Sequence, residues 1–345
     1  MRVLVTGADG YIGAILGPLL RVRGHQVDGL DCGFYRSGRL YDDGLVRPDS
    51  TVKDIRHVAL RDVVGYDAVV HLAELSNDPL CEHDPRTTFA INHEGSVALA
   101  QTCREAGVPR FVYTSSCSVY GAGSDAPRTE ESATDPQTAY ARCKVLVERD
   151  VVALACDSFT PVFLRNATAF GPSPRMRFDI VLNNLAGIAW TSREIRMTSD
   201  GSPWRPLVHV ADIAEAIIAV LEAPRAAVHG EILNVGSDAQ NYRVREIAEI
   251  VARIFPGCST SFGRSNGDNR SYRVSFAKIR ERLPGFACRW SAEDGARQLR
   301  AVFERIGLTR AMFEEPAFTR LQQLKLLLST HRIDGDLFWR TLEVA

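Results

Sequence analysis

No stretch of the 345-residue chain approaches the roughly 18 consecutive apolar residues that a membrane-spanning helix needs, so a membrane partner is not expected. The eight cysteines, Cys32, Cys81, Cys103, Cys117, Cys143, Cys156, Cys258 and Cys288, include no Cys-x-x-Cys pair. Zinc sites and disulfide frameworks both need closer spacing, which leaves reduced thiols. A formal net charge of −1 lacks the one-sided balance of a nucleic-acid or anionic-membrane binder, so no nucleic-acid partner is expected. No internal repeat or low-complexity linker breaks the chain. Met1 runs straight into the strand-like Arg2-Val3-Leu4-Val5-Thr6, without a charged and then apolar leader, and a cytoplasmic location is the expectation.

What is present is an ordinary globular composition, 45% apolar and 24% charged, on a chain long enough for two domains. Short apolar runs at residues 3–5, 26–30, 68–72 and 111–115 alternate with helical patterns at 12–23 and 89–105. Buried β-rich runs separated by helices predict an α/β fold with a doubly wound parallel sheet. After about residue 165 the texture changes. Gly171-Pro172-Ser173-Pro174 and Asp200-Gly201-Ser202-Pro203 are loop punctuation, while residues 208–221 and 232–235 carry patterns that can rejoin the sheet. The expected division is a nucleotide-binding domain over 1–170 with 207–235 returning to it. A smaller interleaved substrate domain spans 171–206 and 236–316, and a helical tail covers 317–345.

Thr6-Gly7-Ala8-Asp9-Gly10-Tyr11-Ile12-Gly13 follows the first strand and opens a helix. Without side chains at Gly7 and Gly10 the chain turns tightly and a pyrophosphate can approach its backbone, and Gly13 lets helix and strand pack closely. The anion then meets free N–H groups and the positive end of the helix dipole. The spacing is G-x-x-G-x-x-G, and glycine triplets also arise in plain turns. Asp31, which ends the second strand 18 residues after Gly13, adds specificity. A carboxylate there accepts bonds from ribose hydroxyls and repels a 2′-phosphate, favouring NAD over NADP, with Arg36 and Arg39 nearby as a countercurrent.

Tyr140-Ala141-Arg142-Cys143-Lys144 lies in a helical stretch predicted over 136–154, and positions four apart share a helix face. A free tyrosine titrates near pH 10, so a phenolate base at neutral pH needs about 4 kcal/mol of preferential stabilisation. An adjacent ammonium has the right sign of field. Ser116, at the end of the strand in Phe111-Val112-Tyr113-Thr114-Ser115-Ser116, can orient a reacting hydroxyl beside Tyr140.

Together these motifs resemble those of an extended short-chain dehydrogenase/reductase of the NAD-dependent epimerase/dehydratase family, from residue 1 to about residue 300. The resemblance implies a Rossmann-like fold with bound NAD, a nucleotide-diphosphate sugar as partner, and a homodimer. It makes Gly7, Gly10, Tyr11, Ile12 and Gly13 the pyrophosphate loop, and Asp31 the ribose ligand. Asp54 and Ile55 are adenine contacts, Leu72 and Ala73 a cofactor-lining strand end, and Asn92 the asparagine of N-x-x-G-[ST]. Ser116, Tyr140 and Lys144 become the catalytic set, with Tyr140 and Lys144 also touching the cofactor. Glu74 replaces an alanine of the family's H-L-A-A. Cys117 and Ser118 stand where the family's 4,6-dehydratases carry an Asp-Glu pair, and its decarboxylases place a glutamate at the position of Ser118.

Without those carboxyl groups the implied reaction is epimerisation at carbon 4, through oxidation and re-reduction of the sugar. On the substrate side the resemblance makes Arg205 a diphosphate ligand in a segment where Pro206 replaces the usual aspartate. Arg270, within Asp268-Asn269-Arg270-Ser271-Tyr272, is a further candidate for the diphosphate, as are Asn183 and Asn184. Glu74 and Asn77 are expected to read sugar hydroxyls, with Ser116, Cys117 and Ser118 under the sugar. Two other classes stay open. One is a 4-dehydrogenase, 4,6-dehydratase or uronate decarboxylase that recruits an acid such as Glu74; the other is a non-catalytic NAD sensor or scaffold.

Overall fold

A computed structural model describes residues 1–122, 126–265 and 270–340. Twelve strands form in chain order: Arg2–Thr6 (β1), Gln26–Asp31 (β2), Ser50–Val52 (β3), Ala68–His71 (β4), Arg110–Ser116 (β5), Thr160–Asn166 (β6), Thr168–Phe170 (β7), Glu194–Ser199 (β8), Trp204–His209 (β9), Ile232–Val235 (β10), Asn241–Arg243 (β11) and Ser259–Ser265 (β12). Seven of them make one all-parallel sheet in the order β10-β6-β5-β4-β1-β2-β3. A parallel sheet is covered on both faces, which is why Ala68-Val69-Val70-His71 is buried at every position and reads as an unbroken run. The fold is the expected Rossmann-like α/β architecture.

Helices Gly13–Val22 and Val210–Glu222 cover one face over a core that includes Leu16, Leu20, Val162 and Ile217. Ser96–Glu105 and Ala139–Val152 cover the other, over Leu99, Phe111, Val147 and Phe163. A third core, around Phe170, Phe178, Leu182, Phe255 and Phe303, fills a smaller lobe. Its strands are β7-β9-β11 and the pair β12-β8.

Residues 208–221 resolve into a junction: β9 ends at His209, and Val210–Glu222 is a helix that lies on the large sheet. Residues 89–105 are a π-helical turn, Phe89–Gly95, running into the α-helix Ser96–Glu105. The Ala139–Val152 helix starts three residues later than the pattern predicts, because the Thr138 hydroxyl accepts a bond from Ala141 N at 3.2 Å and fixes the first turn there. Two sheet strands carry no clear pattern. β3 is a three-residue edge, largely exposed, and β6 has Pro161 near its start and polar Arg165 and Asn166 at its end.

The C-terminal helix Arg320–Ser329 returns to the first lobe. Leu324, Leu327, Ile333 and Leu337 join the core that contains Phe34 and Ile55. Gln323 Nε2 donates to Phe34 O at 3.0 Å, and Trp339 Nε1 donates to Cys32 O at 2.6 Å. Among the described residues no helix is long and apolar enough to cross a membrane.

Candidate active site

Strand order reverses between β4 and β2 on either side of β1, and a crevice opens there at the carboxyl ends of the strands, where ligands bind in this architecture. It encloses about 920 Å³, part of it open to solvent, within the size range of small-molecule sites. Gly7, Gly10, Tyr11, Ile12 and Gly13 form its floor, Asp31, Asp54 and Ile55 one end, and Leu72, Ala73 and Glu74 the side toward β4.

The glycine loop is shaped by steric necessity. Gly7 has φ +74°, and a Cβ there would lie 2.8 Å from Ala73 N; a Cβ on Gly13 would lie 2.4 Å from Gly7 O. Gly10 N donates to Gly7 O at 3.0 Å and closes the turn. The N–H groups of Tyr11 and Ile12 have no acceptor among the described residues, and they sit at the start of the Gly13–Val22 helix. That is the arrangement an anion needs. The Tyr11 side chain points the other way, its hydroxyl donating to Gly171 O at 2.6 Å.

Asp31 is 7% exposed and accepts from Gly33 N at 2.7 Å and from Asp9 N at 3.1 Å. Burial pushes its carboxyl above the ordinary aspartate value, and the Gly33 N–H works against that. Arg36 is ion-paired with Asp9 at 2.5 Å and Arg39 with Asp42 at 2.6 Å, and neither lines the crevice. Asp54 holds Arg56 through two bonds of 2.9 and 2.7 Å while still lining the adenosine end. Asn92 is buried in the π-helical turn, where its amide both accepts from Leu75 N at 2.9 Å and donates to Leu75 O at 2.8 Å. It therefore holds the loop after β4 in place.

Tyr140 is half-buried near the start of its helix, and among the described residues nothing hydrogen-bonds its hydroxyl. The Lys144 ammonium lies 5.3 Å from the Tyr140 ring centre and donates to Thr114 O at 2.5 Å, which ties the helix to β5. Ser116 ends the same strand, its Oγ accepting from Ser118 N at 3.1 Å. A phenol, an ammonium and a hydroxyl are thus carried by one helix and the strand it packs on.

Glu74 was expected to read sugar hydroxyls, and its geometry differs. The carboxylate is turned inward and ion-paired with Lys144, the two side chains being 3% and 4% exposed. It also accepts from the Tyr113 hydroxyl at 2.6 Å. At that depth the ammonium is the partner that offsets the cost of burying the charge. Burial works to lower the Lys144 pKa, but Glu74 and Tyr140 together outweigh it and hold the ammonium charged. Burial also raises the Tyr140 phenol; Lys144 lowers it and Glu74 raises it again, leaving it above the ordinary tyrosine value.

Other substrate-side residues are likewise engaged by the protein. Asn77 caps a short helix through Leu80 N at 2.9 Å and donates to Asp179 at 2.7 Å, so its amide is committed to loop structure. Asn183 is fully buried, accepting from Gly171 N at 2.9 Å and donating to Arg177 O at 3.1 Å. Asn184 donates to Phe178 O at 2.8 Å. Cys117 is buried with its thiol directed to Arg165 O at 3.1 Å, and the Ser118 Oγ is buried without a partner among the described residues. Arg205 donates to Trp204 O at 2.8 Å and to Arg270 O, and Arg270 is ion-paired with Asp78. Asp268 and Asn269 lie outside the described residues.

Several lining residues carry no sequence motif: Tyr35, Lys53, Ser76, Arg177 and Arg320. Arg177 binds Asp179 at 2.8 Å and Ser76 O at 3.1 Å. Arg320 arrives from the C-terminal helix. Position alone offers no signal for either, since both become neighbours of the glycine loop only through the tertiary fold.

The glycine cradle, the acceptor-free N–H pair and the Asp31 carboxylate fit an adenine dinucleotide. Comparison with known proteins agrees. A UDP-glucose 4-epimerase of Mycolicibacterium smegmatis is 30% identical over 73% of this chain and 82% of its own length. A UDP-N-acetyl-alpha-D-glucosaminuronate decarboxylase of Bacillus cytotoxicus is 25% identical over 73% of this chain and 80% of its own length. The solved structure of MoeE5 in complex with UDP-glucose and NAD superposes with a TM-score of 0.75 at 26% identity, covering 88% of this chain and 99% of that one. The pattern of the NAD dependent epimerase/dehydratase family matches residues 3–236, and the chain belongs to that family, whose cofactor is NAD.

Proposed function

We propose that this protein is an NAD-dependent nucleotide-sugar epimerase acting at carbon 4. The observation that carries the reading is the pair of residues directly after Ser116: a buried thiol, Cys117, bonded to a backbone carbonyl, and then Ser118, with no carboxyl group at either place. Elimination of water or loss of carbon dioxide from an oxidised sugar needs an additional proton-transfer group beside the tyrosine. The nearest acid that lines the crevice, Glu74, is held by Lys144 and Tyr113.

Bound NAD supplies the hydride acceptor, and in its reduced form the donor. Gly7, Gly10, Gly13 and Asp31 hold its adenosine diphosphate half. Tyr140 takes the proton from the sugar hydroxyl and later gives it back, and Ser116 holds that hydroxyl in line. Lys144 supplies the positive field that makes the phenolate accessible. Inversion at the carbon follows if Tyr140 and Ser116 release the oxidised sugar to present its other face before the proton is given back. A homodimer is part of the same reading, checked by sedimentation.

Purified protein is incubated with UDP-, GDP-, CDP- and dTDP-linked sugars, and products are scored by mass and by isomer. An unchanged mass with a new C4 isomer is the expected outcome. Loss of two mass units would make the protein a dehydrogenase, and loss of water or carbon dioxide a dehydratase or decarboxylase working through Glu74. No turnover of any of them, with NAD bound, would leave the sensor reading.

A further inference from the structure

Among the described residues three cations line the cofactor crevice, and two are neutralised within the protein: Lys53 by Asp62 at 2.6 Å and Arg177 by Asp179 at 2.8 Å. The third, Arg320, is 3% exposed, yet no oxygen among the described residues accepts a bond from its guanidinium. Its backbone N–H donates to Asp179 at 3.1 Å, and its guanidinium carbon lies over the Tyr35 ring, 4.0 Å from the centre. Stacking on a ring holds the planar group in one orientation and leaves its in-plane donors unused. Burial, and then the repulsion of Arg177, bring its pKa down to about 10, with Tyr35, Asp179 and Asp31 acting in the opposite direction. The side chain is buried as a whole, but none of its nitrogens is among the sealed-off, unpartnered atoms of the described residues, so its idle donors open on the crevice, where an anion can take them.

The position of Arg320 indicates which ligand. It faces the same crevice as the acceptor-free N–H groups of the glycine loop. Its charged neighbours are Asp31, at the adenosine end, and Arg177 with Asp179, on the side of Ser76. The part of a dinucleotide that lies between the adenosine and nicotinamide halves is the pyrophosphate, and it is the part that carries negative charge. We propose that Arg320, contributed by the C-terminal helix outside the family-matched residues 3–236, binds a pyrophosphate oxygen of the cofactor. The C-terminal segment is then part of the cofactor site. This does not depend on the reaction being an epimerisation.

The test uses the full chain and reads binding, not turnover. Arg320→Met, similar in volume and uncharged, and Arg320→Lys are compared with the parent by calorimetry with NAD, ADP and adenosine, and by melting without ligand. NAD and ADP are expected to bind Arg320→Met at least tenfold more weakly, and adenosine, which has no phosphate, less than twofold more weakly. Arg320→Lys recovers part of the loss. The ligand-free Arg320→Met protein melts near the parent, because no protein acceptor loses a bond from the guanidinium. NAD and ADP affinities within twofold of the parent would overturn the proposal. So would an equal loss for adenosine, or a ligand-free Arg320→Met protein that melts well below the parent, either of which makes Arg320 a structural brace.

Discussion

At the scale of single residues, the chemistry turns on two groups and the charge behind them. The Tyr140 hydroxyl touches no described protein group, so its removal costs the fold little and the reaction much. Tyr140→Phe is expected to lower kcat by about 10²- to 10⁴-fold while NAD affinity and melting temperature stay near those of the parent, measured by turnover, calorimetry and thermal melting. Glu74 sets how hard that tyrosine is to ionise, because it cancels part of the Lys144 field. Taking its negative charge away favours the phenolate. Glu74→Gln is therefore expected to move the acid limb of the kcat/KM profile to lower pH. The same change leaves Lys144 buried without its counter-charge and destabilises the fold by about 3 kcal/mol, so the profile is read at a temperature where the variant is folded. An unshifted acid limb would show that Glu74 has no hold on the tyrosine.

At the scale of elements, the cofactor loop is a strand, a turn and a helix fitted to backbone tolerances. Gly13 has no room for a methyl group, because the obstruction is the Gly7 carbonyl and not a movable side chain. Gly13→Ala is expected to cost about 1–3 kcal/mol of stability by overpacking, and at least tenfold in NAD affinity, by denaturant melts and calorimetry. This element was fully legible in the sequence, since its demands are local: glycines at fixed spacing, then an acid at the end of the next strand. The same holds for the helix bearing Tyr140 and Lys144, whose geometry is set by a four-residue interval. The partners of those residues were not legible. Glu74 reads as an ordinary loop acid, and only the approach of β4 to β5 and the helix places it against Lys144. Arg177, Tyr35 and Arg320 had no signature, because proximity across about 150 to 300 residues is a property of the packed chain. The edge strand β3 and the proline-bearing β6 were hidden for a different reason: neither shows the unbroken apolar run that marks an interior strand.

At the scale of the whole molecule, two histidines are buried uncharged, one in each lobe. His71 lies between the hydroxyls of Thr6 and Ser96, at 2.7 and 2.8 Å, and burial, with Lys144 adding to it, depresses its pKa to about 3. His209 bonds Gln298 at 2.9 Å, and burial brings it down to about 4. Both folded values lie below the unfolded one of about 6.5, so as pH falls the unfolded chain takes up protons first. Their contribution to stability is complete above about pH 6.5 and is lost progressively toward pH 4 and below. Urea unfolding at pH 7 and pH 5 should show the drop, and His209→Asn should shrink it by about 2 kcal/mol. An undiminished drop in that variant would place the acid sensitivity elsewhere.

The hydrogen bond from Gln323 to the carbonyl of Phe34 joins residues 289 apart in sequence, over the same crevice that the glycine loop opens near the start of the chain. A ribosome makes the phosphate cradle long before the helix that completes the chamber. Emerging nascent chains would then carry a half-built nucleotide site through the synthesis of the residues between, and stable capture of the dinucleotide waits for that helix.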